Sequence, residues 1–177
     1  NSFCGLINER QSKWSFVINK KTNFKNGNMD NNLHKLVSYA PDKTFLFEGS
    51  LRDNLLLGFD DLSIDKSELD KKIIEWLNVL NLSYLIGRNH GLNGRLNLSL
   101  ECFSFGEIKR LGLIRAWIKD KQIEVLDEPT SNLDNFNADI IKKIIQKRSQ
   151  KKMVLISTHD KDFIIEGNKI AKLDNYK

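Results

Sequence analysis

Two adjacent carboxylates, Asp127 and Glu128, close an apolar run that contains Ile123, Val125 and Leu126. The run reads as a buried strand, and a carboxylate fixed at a strand end can hold a Mg²⁺ ion. The residue after it can orient or deprotonate an attacking water, an arrangement that suits nucleotide hydrolysis. A strand that merely meets an acidic turn contains the same pair, so the pair alone does not decide. Ser104 stands where a helical pattern begins. A helix N-terminus offers free backbone N–H groups and a partial positive charge, and so receives phosphate well. The Ser104 hydroxyl adds a donor, and Gly106 lets backbone approach closely. Read locally, the same residues make a plain serine cap with Glu107 in the first turn. His159 closes a further apolar run, Val154-Leu155-Ile156-Ser157-Thr158.

These groups can act together only if strands and helices carry them to one place. Residues 37–40, 123–127, 153–158 and 169–173 read as strands, those at 123–127 and 153–158 as buried ones. Trp14 to Ile18 alternates and then turns apolar, as a further strand does. Residues 2–7 fit the end of a helix, Asn26-Gly27-Asn28 a turn, and Leu33 to Leu36 a short helical turn. One helical stripe runs through residues 65–86, with Leu69, Ile73, Trp76, Leu77, Leu80 and Leu85 near one face and Asp65 or Ser67 as its cap. Asn89 to Leu96 reads as a loop. Helices are expected from Ser104 to about Lys119 and over 135–149, the latter with Ile140, Ile141, Ile144 and Ile145 inward. Glu124 breaks the apolar pattern of its strand and costs stability if buried without a partner. Strands alternating with helices predict a parallel sheet covered by helices. Residues 51–100 interrupt that alternation with helices only, as an inserted helical subdomain would.

The chain has 177 residues, 40% hydrophobic and 29% charged. That is one domain by length, able to bury roughly 70% of its unfolded surface. No apolar run approaches the ~20 residues that span a bilayer, and no signal peptide is visible. The formal net charge is +5. Its lysine pairs, such as Lys71-Lys72 and Lys142-Lys143, are scattered among acidic residues, and no nucleic-acid partner is expected. Cys4 and Cys102 read as reduced thiols without a disulfide or metal framework. The chain starts at Asn1 and reads as a piece of a longer polypeptide.

Taken in order, three segments resemble the ABC ATPase family. Phe103-Ser104-Phe105-Gly106-Glu107-Ile108-Lys109-Arg110-Leu111 resembles the signature motif. Leu126 to Asp134 resembles the Walker B strand with its D-loop, and Ser157-Thr158-His159-Asp160 the switch histidine. A fourth segment, Tyr39 to Leu55, resembles the Q-loop region of exporter-type members. The resemblance implies an α/β fold, a P-loop NTPase-like core with a parallel sheet plus an inserted α-helical subdomain. Residues 1–177 then form one incomplete domain, with core at 1–50, the helical subdomain and signature motif at 51–118, and core again at 119–177. It implies ATP and Mg²⁺ as ligands, with Asp127 on the metal and Glu128 and His159 as catalytic residues. His159 would hold the γ-phosphate and Glu128 together. Ser104, Gly106, Glu107, Asp134 and Asp42 are implied at the nucleotide. The partners implied are a second ABC ATPase domain, which supplies Ser104 and Asp134 across a head-to-tail sandwich, and a transmembrane domain. The location implied is the cytoplasmic face of a cell membrane, as in a bacterial inner membrane.

The chain departs from the family pattern in places. Phe105 replaces a Gly and Glu107 a Gln, and Asp42 stands where the Q-loop has its Gln. A carboxylate can still bind Mg²⁺ but lacks the amide donors. The phosphate-cradling string G-x-x-x-x-G-K-[ST] does not occur, and the family order places it immediately before Asn1. Two alternatives stay open: a soluble ABC-type ATPase acting on ribosomes or DNA, favoured by Glu107, and a degenerate non-catalytic relative, favoured by Asp42 and Phe105.

Overall fold

The parallel sheet arises where the apolar runs are flanked by helices long enough to return the chain. A computed structural model describes residues 17–18, 22–23, 33–59, 63–88, 90–98 and 102–160. In chain order the elements are β1 (Val17–Ile18), β2 (Thr22–Asn23), α1 (Leu33–Leu36), β3 (Val37–Ala40), α2 (Leu51–Leu55) and α3 (Lys66–Val79). Then follow α4 (Tyr84–Arg88), α5 (Phe105–Ile118), β4 (Ile123–Asp127), α6 (Asn135–Ser149) and β5 (Met153–Ser157). β3, β4 and β5 form one parallel sheet in that order, with Ala40 opposite Leu126 and Asp127 opposite Ser157. Of the strand expected over Trp14 to Ile18 only Val17–Ile18 are described; they form β1, which pairs antiparallel with β2 in a separate ribbon. The expected helix end at 2–7, the turn at 26–28, the strand at 169–173 and Cys4 lie outside the described residues.

Helix α5 is the central packing element. A helix with apolar residues on every side must be covered on every side. From Leu111 to Ile118 all but Arg115 are buried, and α5 packs against β3, α2 and α3. Around it lie Leu51 and Leu55 of α2, Ile73 and Leu77 of α3, Leu85 of α4, and Leu80, Leu82 and Leu96 of the connecting segments, all 0–1% exposed. Each such side chain contributes on the order of 1.5–3 kcal/mol by leaving water. The Trp76 and Trp117 rings meet at 5.0 Å between centroids.

Two expectations need correcting. The stripe over 65–86 is two helices. Asp65 caps the first, which ends at Leu80 because Asn81 takes a left-handed φ of 55°. Asn tolerates that conformation, and Leu82 N then turns back to donate to the Leu77 carbonyl at 2.7 Å. The second correction concerns β5. It is half-buried, with Met153 46% exposed, since it forms the edge of the described sheet.

Glu124 is indeed buried, at 0% exposure, but it is paired. Arg148 near the end of α6 reaches it through Nε, at 3.0 Å from Oε1 and 2.9 Å from Oε2. The same guanidinium bonds Asp120 Oδ1 at 3.1 Å and lies 5.6 Å and 5.8 Å from the Trp76 and Trp117 ring centres. Lys152 joins the cluster, 3.6 Å from Glu124 Oε1. The charge in the middle of β4 is thereby compensated.

Candidate functional site

In a parallel sheet, ligands gather beyond the C-terminal ends of the strands. β4 ends there with Asp127, half-buried. Glu128 follows in a left-handed conformation, φ 46°, which turns its side chain out of the strand direction. Its N–H donates to Ser157 O at 2.8 Å, tying the turn to the end of β5. Both carboxylate oxygens are held from that neighbour: Thr158 Oγ1 donates to Oε2 at 3.2 Å, and His159 N to Oε1 at 3.1 Å. His159 Nε2 lies 3.6 Å from the same Oε1, and the imidazole is otherwise fully exposed. The structure therefore brings Glu128 and His159 together, with Asp127 next to Glu128 in the chain.

Asp42, in the loop after β3, joins the same cluster through Lys109. The Lys109 ammonium donates to Asp42 Oδ1 at 2.9 Å and to the Asp42 carbonyl at 2.6 Å. Ser131 Oγ donates to Asp42 Oδ1 at 3.0 Å and also lies 3.0 Å from Glu128 O. The hydrogen bond from Lys109, then that from Ser131, hold the Asp42 carboxyl below its ordinary range.

The second group of expected residues collects around an open pocket of about 380 Å³, lined by Ser104, Gly106, Arg110, Asn132 and Asp134 among others. Ser104 caps α5: its Oγ accepts from Glu107 N at 3.2 Å, while Glu107 Oε2 accepts from Ser104 N at 2.6 Å. Tyr84 Oη donates to the other Glu107 oxygen. The local capping reading is thus realised, and the Ser104 hydroxyl also bonds the Glu107 carboxylate. Burial favours the neutral acid at Glu107, but the bonds from Tyr84 and Ser104 outweigh it and lower its pKa. Burial, then the bond to Glu107, pushes Tyr84 up to about 12. The backbone that Gly106 admits is that of its own chain: a Cβ there would lie 3.0 Å from Asn132 O and 3.2 Å from Leu133 Cδ2. Asp134 caps α6, accepting from Asn137 N at 2.9 Å and from Asn137 Nδ2 at 2.6 Å, and those bonds lower its pKa. Arg110 braces the pocket floor, reaching Leu80 O at 2.7 Å and Asn137 Oδ1 at 3.1 Å.

The short turn from Glu128 to Asp134 connects the two groups. Lys109, Ser131 and Thr158 stand inside the motif segments, and Lys109 with Arg110 supports the signature motif, but the sequence reading gave none of the three a role at the site.

Among the described residues no three His, Cys, Asp or Glu side chains gather as a metal cage. Mg²⁺ keeps several waters and is held by one or two carboxylates together with substrate phosphates. Asp127 at its strand end is a donor of that kind. Among the described residues, too, no helix is long and apolar enough to cross a membrane.

The family model of the ABC transporter matches residues 1–131. The chain is 30% identical over 145 residues to the alpha-factor-transporting ATPase of Saccharomyces cerevisiae, covering 82% of this chain and 11% of that protein. It is 32% identical over 143 residues to the glutathione/L-cysteine transport system ATP-binding/permease protein CydC of Escherichia coli, covering 81% and 24%. The chain thus spans about a quarter or less of these relatives. A bacterial Atm1-family ABC exporter with ATP bound shares the fold at a TM-score of 0.58 and 20% identity, over 76% of this chain and 23% of that one. The fold is accordingly the expected α/β, P-loop NTPase-like one.

Proposed function

The chain belongs to the ABC transporter family, as part of its ATP-binding domain, and from that premise we propose that the intact protein hydrolyses ATP to power export of a substrate across a membrane. The observation that carries the reading is the Glu128 carboxylate, held by Thr158 and His159 N immediately beyond Asp127. Two bonds leave the carboxylate free lone pairs, so it can take a proton from a water that attacks the γ-phosphate. His159 stands beside it to donate to that phosphate. Asp127 would hold Mg²⁺, which supplies charge neutralisation across the phosphates. Ser104 and Gly106 at the start of α5, with Glu107 and Asp134, form the face offered to ATP bound on a second domain. Preplaced donors of this sort contribute most of phosphoryl-transfer catalysis.

The partners on this reading are a second ATP-binding domain and a transmembrane domain, with the site at the cytoplasmic face of a membrane. Residues 1–177 alone do not turn over Mg·ATP, because the phosphate-cradling string, absent from this sequence, supplies most phosphate contacts. The test uses the complete protein. Glu128→Gln keeps the shape and loses the base, so turnover falls by about 10²–10⁴-fold while ATP binding persists. Turnover within a few-fold of the parent rate removes Glu128 as the base. A degenerate, non-catalytic relative is the second reading, favoured by Asp42 and Phe105 standing where the family pattern has Gln and Gly; a parent protein that binds ATP without hydrolysing it supports that reading instead.

A further inference from the structure

Lys109 is a charged side chain only 4% exposed, the fifth residue of a helix whose following turns are buried. A buried ammonium must find acceptors or lose its charge. Lys109 has one acceptor for each of its three protons: Asp42 O at 2.6 Å, Asp42 Oδ1 at 2.9 Å and Asp127 O at 3.4 Å. One cation thereby ties three segments that are far apart in sequence. They are the loop after β3, the first turns of α5, and the end of β4 where Asp127 and Glu128 begin. Ser131 extends the tie, since its hydroxyl reaches both Asp42 Oδ1 and Glu128 O at 3.0 Å. The Asp42 carboxylate, expected from the sequence to face the nucleotide and its metal, spends its Oδ1 on these two partners.

We propose that Lys109 is a positioning residue of the ATPase site. Its ammonium sets the main chain of Asp127 and the loop of Asp42 in one frame, and Asp42 serves as an anchor for that frame and not as a contact to Mg·ATP. The inference rests on the ATPase reading above. It assigns to an ion pair inside one domain the job of holding the loop after β3 against the carboxylates at the end of β4. It also explains why a carboxylate is tolerated at position 42: the charge there answers the buried cation.

The experiment is steady-state hydrolysis by the complete protein carrying Lys109→Met, Asp42→Asn or both, with Mg·ATP and free Mg²⁺ varied separately. Loss of the frame displaces the Asp127–Glu128 turn, and a misplacement on the order of 1 Å costs up to about 10²-fold. Each single variant therefore lowers kcat by about ten-fold or more. KM for Mg·ATP and the Mg²⁺ concentration giving half-maximal rate stay within about two-fold of the parent, because neither residue touches the ligand. The double variant is no slower than the slower single one, since both break the same frame. A requirement for Mg²⁺ raised more than about ten-fold by Asp42→Asn overturns the proposal, since that is the signature of a metal contact. So does a Lys109→Met protein with the parent kcat, or strictly multiplicative losses in the double variant. Where Lys109→Met does not fold, Lys109→Gln takes its place, and the Mg²⁺ titration of Asp42→Asn stands without either. A parent protein with no turnover that Glu128→Gln abolishes removes the ATPase reading instead. In that event the frame is read from melting temperatures, where additive losses from the two single variants overturn it.

Discussion

Replacing Arg148 by Met in the complete ATP-binding domain removes the main partner of a carboxylate shut off from solvent. Glu124 is 0% exposed, and Arg148 supplies bonds to both its oxygens. Breaking a buried ion pair from one side costs about 3–5 kcal/mol. Lys152 remains 3.6 Å from Oε1, so the cost falls in the lower part of that range, about 3–4 kcal/mol. Met also fills part of the space against Trp76 and Trp117 but loses the cation over their rings, an effect worth about 0.5–1 kcal/mol at each. For a domain of this size 1 kcal/mol moves Tm by about 2–4 °C. With about 4–6 kcal/mol lost in all, the expected drop is about 8–24 °C by differential scanning calorimetry. Glu124→Leu together with Arg148→Met removes both charges and should recover most of that loss, since buried pairs are often replaceable by apolar residues. A drop under about 2 °C for Arg148→Met, or a double variant as unstable as the single one, refutes the reasoning. The consequence reaches the site, because Glu124 lies in the strand that delivers Asp127.

Two further outcomes follow from contacts described above. Gly106→Val must push against Asn132 O and Leu133 Cδ2, which a Cβ would meet at 3.0 and 3.2 Å, so it should cost about 1–3 kcal/mol and lower kcat by moving the Asp134 turn; an unchanged Tm and kcat count against the close approach. Burial alone would raise the Asp120 carboxyl, but Lys152 and then Arg148 bring it below its ordinary 3.8. Its stabilising contribution is therefore complete above about pH 4 and is lost as pH falls through the lower folded value. Lys152→Met should move the acid-unfolding midpoint, followed by circular dichroism, to higher pH; an unmoved midpoint refutes this.

Local signals carried most of the architecture. β4 and β3 were legible because apolar runs end in turn residues, and α6 because its isoleucines recur at helical spacing. Ser104 with Glu107, and Asp65, were legible as caps because a cap is written within four residues. The break between α3 and α4 was missed because the leucine stripe continues through it, although Asn81 marks the stop. Other features rested on distant partners. Glu124 looks like a fault in a strand until Arg148, brought alongside by the α6 crossover, compensates it. Asp42 reads as a free carboxylate until β3 and β4 pair and α5 packs over β3, which delivers Lys109 to it. Side-chain partners set by tertiary packing leave little trace in a single sequence, and the inner shell of the candidate site is built from such partners. The chemical groups were legible, and the residues that hold them in place were less so.

The left-handed backbone at Glu128 gives that position a direction of evolutionary change. A side chain other than Gly or Asn held at a φ of 46° carries a strain of about 1–3 kcal/mol. Substitution by Gly relieves it, so mutation pressure and selection for folding push the same way. On the ATPase reading, selection for turnover opposes them, together with the bonds that Thr158 and His159 N give the carboxylate. Copies of this domain released from hydrolysis should therefore shed the acid early and become more robust as they do so. A glutamate still standing in that conformation is a fossil of recent catalytic demand.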